Sequence, residues 1–107
     1  MTRPPAPETT PAAAYAMAPS IISEIGWTAD RAVRALRGQE ADREFWLRKA
    51  ALLDRIALDD ERAHIHGDAT EAAQRAAQRL MDIDQVEALT EPRAYVRQQY
   101  AHWARHQ

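Results

Sequence analysis

From Glu40 to His66 the chain runs without a Gly, Pro, Ser or Thr, and Gly67 then precedes Asp68-Ala69-Thr70-Glu71. Ala, Leu, Arg and Glu, all strong helix formers, fill that run. Glycine lets the backbone leave a helix, and an Asp followed three residues later by Glu matches a capping box, which satisfies the first free amides of the next helix. The sequence therefore predicts a long helix over 40–66, a stop at Gly67 and a second helix from Asp68. A hairpin of this kind commits the chain to an all-α fold.

The two helices have complementary faces. At about 100° per residue, Phe45, Trp46, Ala50, Leu52, Leu53, Ile56, Ala57 and Ala63 share one broad face of the first helix. Ala69, Ala72, Ala73, Ala76, Ala77, Leu80 and Ile83 share one face of the second. Small residues allow backbones to approach closely, so the bulky face has room to pack. The alanine stripe loses phase near Asp84, and the helix is expected to end or bend between Asp84 and Leu89. Thr90-Glu91-Pro92 reads as the start of a third helix, with Thr90 as N-cap and Pro92 in the first turn. Its inner face would carry Tyr95, Val96, Gln99 and Trp103, with Tyr100 at the edge. Upstream, Thr28 reads as the N-cap of a short helix over 29–37, which Gly38 breaks from the long one. Ile21, Ile22, Ile25 and Trp27 are expected to cap the domain's own core. The whole is a small antiparallel helical bundle over 20–107: a long hairpin plus a C-terminal helix, preceded by a short N-terminal helix. A chain of 107 residues has no room for a second core.

Residues 1–19 hold five prolines, at 4, 5, 7, 11 and 19, among Ala and Thr. Proline removes donors, and this composition supplies little apolar surface to offset ordering entropy, so the segment reads as a disordered tail. The prolines also interrupt any secretory leader, and no later stretch is apolar enough to span a bilayer, so a cytoplasmic location is expected. Cysteine is absent, which excludes disulfides, a thiolate nucleophile and Cys-based zinc sites. Fourteen basic against sixteen acidic residues give a net charge of -2, not the basic balance of a dedicated polyanion binder.

No catalytic, cofactor or nucleic-acid motif reaches specificity, so the expectation is a non-catalytic interaction protein without cofactor. A second apolar row on the long helix, Leu47, Ala51, Leu58 and Ile65, is set apart from the first by Arg48, Arg55, Asp59 and Arg62. One hairpin partner covers one side only, so this row needs either a third helix of the same chain, the one with Val33 and Leu36 or the C-terminal one, or another protein chain; it is expected to be a protein interface, for self-association or for a partner chain. The alternative is a DNA-associated regulator using Arg31, Arg34 and Arg37, whose spacing gathers three guanidiniums on one side of a short helix. Asp30, Glu40, Asp42 and Glu44 lie close enough to pair with them, which weakens that reading.

Two groups have metal-like spacing. Glu61 and His64 match the Glu-x-x-His pattern of di-iron bundles, but the alanine face lacks the inward carboxylates such a site needs. In an up-down-up arrangement the first and third helices end on the same side, so His64, His66 and Asp68 could meet His102 and His106 there. Frayed terminal histidines are commoner, and His66 near a helix C-terminus is also explained by the macrodipole, so no metal is assigned. Lys49 and Asp60 fall inside the core sector, where a charge must be paired or must snorkel to water.

Overall fold

The long helix begins where its first free amides find an acceptor: Asp42 takes a hydrogen bond from the Phe45 amide at 2.9 Å. The structure, a computed structural model, describes residues 9–87 and 89–107. It contains five helices and no strand among the described residues: α1 Pro11–Ala14, α2 Ile21–Leu36, α3 Arg43–Arg62, α4 Ala69–Ile83 and α5 Pro92–Ala104. The core joins Leu47, Ala50 and Ala51 of α3 to Ala76, Ala77, Leu80 and Met81 of α4 and to Tyr95, Val96 and Tyr100 of α5. The alanines of α4 do receive bulky neighbours, as their small size requires.

Three helix ends share one device. Gly38, with φ +92°, follows the Arg37 cap of α2; its amide bonds Ala35 and that of Gln39 bonds Arg34. This is a Schellman turn, and it is the break expected at Gly38. α3 ends the same way, but His64, with φ +55°, takes the glycine position while Ile65 N–H bonds the Asp60 carbonyl at 2.8 Å. Gly67 therefore does not stop the helix, which closes at Arg62. α4 ends with Gln85 at φ +57° and Val86 N–H on Met81, within the expected region.

Several starts differ from expectation. Ser20, not Thr28, caps α2 by accepting from the Ser23 amide, so the helix begins eight residues earlier and runs through Gly26. Thr28 lies mid-helix with its hydroxyl buried and unbonded among the described residues. Asp68 makes no capping bond; nearby, the Thr70 hydroxyl donates to Glu61 across the turn at 2.7 Å. Glu91, one residue after Thr90, caps α5 by accepting from the Arg93 and Ala94 amides, with Pro92 in the first turn.

α4 runs antiparallel to α3, since Thr70 meets Glu61 at one end and Arg43 grips Asp84 at the other with two 2.7 Å bonds. α5 is antiparallel to α3 as well. Arg93, near its start, bonds Glu61 near the end of α3, and Trp103, near its end, lies 5.4 Å from the Arg48 guanidinium near the start of α3. The connection after α4 thus returns along the hairpin, and the ends of α3 and α5 lie at opposite ends of the bundle.

The tail read from the prolines gives way to ordered chain from Thr9 on, and residues 1–8 lie outside the described residues. Thr10 caps α1, Ala14 is buried, and the Tyr15 ring packs edge-on to Tyr100 with centroids 5.3 Å apart. Proline favours this turn because it occupies the first helical position, where no N–H is needed.

Candidate functional site

The expected interface row is divided by the fold. Leu47 and Ala51 are wholly buried and share the core with Val96 and Tyr100. The chain's own α5, laid antiparallel on α3, does what a partner was expected to do. Leu58 is half-buried in a groove with Pro11, Tyr15 and Ile21, and Ile65, past the end of α3, is 58% exposed. The four residues do not form one surface.

The arginine row is not a row of free cations. Arg31 lies over the Trp27 ring at 4.9 Å, Arg34 pairs with Asp30 at 3.2 Å, and both line a crevice that also holds Glu40 and Asp42. Arg37 is the exposed cap of α2. The histidines are separated by the direction of α5: His102 and His106 stack on each other at 4.5 Å between centroids, at the end of the bundle away from His64 and His66. Among the described residues no group of three or more His, Asp or Glu side chains is placed to hold a metal ion. Lys49 reaches over Phe45 and Trp46 at 5.8 and 5.2 Å, on the rim of an open groove of about 430 Å³ floored by Leu53, Ala72 and Ala76. It snorkels, as its place in the apolar sector requires.

Two polar clusters escaped the sequence reading. The first surrounds Asp54, wholly buried on α3. Its oxygens accept four bonds: from the Tyr15 hydroxyl at 2.6 Å, Arg93 Nε at 2.6 Å, and Arg97 at 2.8 and 2.9 Å. Arg93 extends the network by a second fork to Glu61 at 2.8 and 3.1 Å. Burial pushes the Asp54 carboxyl up, but the hydrogen bonds from Arg97, Tyr15 and Arg93 outweigh it and hold the group below the usual carboxylate range. Burial, then the Asp54 charge, pushes the Tyr15 hydroxyl well above its ordinary value. With every acceptor on Asp54 occupied, the cluster has no open position for a reacting atom, and its chemistry is to clamp α1, α3 and α5 together. The signal in the sequence was an Asp between Leu53 and Ile56, with partners 39 and 43 residues away.

The second cluster docks α2. Glu24 is buried and takes a two-pronged bond from Arg48, whose guanidinium lies 3.6 Å from the centroid of the Trp27 ring. α2 therefore turns Glu24, Trp27 and Arg31 toward α3. A helix that buries this polar side must present its apolar side to solvent. Ile22 is 83% exposed, Ile25 48%, Val33 47% and Leu36 88%, with exposed Gly26, Ala29 and Ala32 between them. The expected capping of the core is thus only partial: Ile21 and Trp27 are half-buried, while Ile22 and Ile25 face out. Among the described residues this outward stripe of α2, and not the row on α3, gathers Ile22, Ile25, Val33 and Leu36 as exposed large apolar side chains along one helix.

The chain matches no protein-family model, no curated protein and no solved structure. No helix among the described residues is long and apolar enough to cross a membrane.

Proposed function

We propose that this chain is a non-catalytic helical interaction protein, of the adaptor, assembly or regulatory kind, whose contacts are made by the outer face of α2. One observation carries the reading: Ile22, Ile25, Val33 and Leu36 stay exposed along a helix that turns Glu24, Trp27 and Arg31 inward. In a helix that serves only its own core, the apolar side is the buried one. Holding an apolar stripe in water costs free energy in proportion to its area, and contiguous patches of this kind mark contact surfaces. The alternative use of Arg31, Arg34 and Arg37 on DNA has weaker support, because two of the three are already engaged by Trp27 and Asp30.

The test is the double substitution Ile22→Glu with Leu36→Glu. Neither side chain supports the fold, so unfolding free energy should stay within about 0.5 kcal/mol of the parent. Association with a partner purified after capture from source cells should be lost when the two isolated proteins are mixed. Undiminished binding by the double variant would sink the reading.

A further inference from the structure

We infer that the occupant of the α2 face is a second copy of this chain, paired antiparallel about Ala29; the inference rests on α2 being a contact surface. The stripe is close to a palindrome about that residue. Ile22 stands opposite Leu36 of the other copy, Ile25 opposite Val33, Gly26 opposite Ala32, and Ala29 opposite itself. The exposures follow the same symmetry, 83% with 88% for the outer pair and 48% with 47% for the inner pair. A two-fold contact requires one patch to complement itself, which is what this order of large, medium and small residues provides. The exposed centre at Gly26, Ala29 and Ala32 lets the backbones approach, while the bulky ends close over the seam.

Charge selects the direction. The stripe Ile22, Ile25, Gly26, Ala29, Ala32, Val33, Leu36 carries no charged residue, so pairing buries no unpaired ion. A parallel pair would align two helix dipoles. The antiparallel pair places each C-terminal end beside the N-terminal end of its neighbour, where Ser20 and Ser23 are exposed, so the dipoles oppose. Area sets the strength. A helix of 16 residues is about 24 Å long. One face of that length falls short of the roughly 800 Å² per partner of a stable complex, so the pair should be reversible on dilution.

The chain has no cysteine, so single cysteines report the geometry without background. Sedimentation from about 1 μM to about 1 mM should show the mass rising from 12.1 kDa toward twice that value. Leu36→Glu should weaken the association at least about tenfold. On mild oxidation Ala29→Cys should link to itself. Ile22→Cys and Leu36→Cys should each stay unlinked alone and should link when mixed. Self-linking of Leu36→Cys would overturn the antiparallel pair, as would a mass that stays monomeric throughout. If the protein is monomeric but Ile22→Glu with Leu36→Glu abolishes binding of a different purified partner, self-pairing falls and the contact role of α2 stands. A monomer whose double variant loses nothing overturns both.

Discussion

His64 and Gln85 hold the left-handed backbone that closes α3 and α4, at φ +55° and +57°, whereas Gly67 shows no such conformation. For an L-residue that region costs on the order of 1–2 kcal/mol. His64→Gly and Gln85→Gly should therefore each stabilise the fold by about 0.5–1 kcal/mol, after the larger entropy of glycine in the unfolded chain is counted against the gain. A Cβ added at Gly67 meets nothing within 4 Å, so Gly67→Ala should be neutral or slightly favourable. Urea unfolding of the three variants checks the set, and a destabilised His64→Gly protein would contradict the Schellman assignment. The contrast also shows why glycine was legible as a helix stop at Gly38 and misleading at Gly67. The motif demands a backbone conformation rather than a residue type, and His can be forced into it when Ile65 and Asp60 form the closing bond.

At the level of elements, helix existence was legible and helix burial was not. The formers between Glu40 and His66 and the alanine stripe of α4 each specify a helix by local propensity and period, which need no knowledge of neighbours. Which side of α2 and α3 faces inward depends on partners distant in sequence. Leu47 and Ala51 are buried because α5 returns antiparallel to α3, and Ile22 and Leu36 are exposed because Glu24 meets Arg48. Asp54 was invisible as a site for the same reason. The attachment of α1 gives a direct test. Tyr15→Phe removes the 2.6 Å bond to Asp54 but keeps the ring against Tyr100. It should cost about 1–2 kcal/mol and speed amide exchange at Ala14 and Tyr15, whose N–H groups close the α1 turn. Unchanged exchange at those two amides would show that α1 is held by apolar contact alone.

For the molecule as a whole, the carboxylates that tie helices together set its response to acid. Hydrogen bonds from Arg93, then Thr70, lower Glu61 from 4.5 to about 2, and Asp54 and Asp84 are also held below their ordinary value of 3.8. Arg43, through its hydrogen bond to Asp84, is the main cause for the last of these. In the unfolded chain the same groups protonate near their ordinary values, so protons bind the unfolded state first as pH falls. The stability these groups contribute is complete above about pH 5 and is lost progressively from about pH 4.5 toward 2. Urea midpoints at pH 6 and pH 3 should differ accordingly, and a midpoint at pH 3 equal to that at pH 6 would refute the ion network's contribution. Because Glu61 is substantially exposed, added salt should shrink its share of the difference. The Asp54 clamp has one more implication, for the order in which the chain settles. The seat that Tyr15 occupies is built from residues on α3 and α5, and it does not exist until the C-terminal helix has been made and docked. During synthesis the earliest of these helices to emerge from the ribosome must therefore wait, unanchored, for the last.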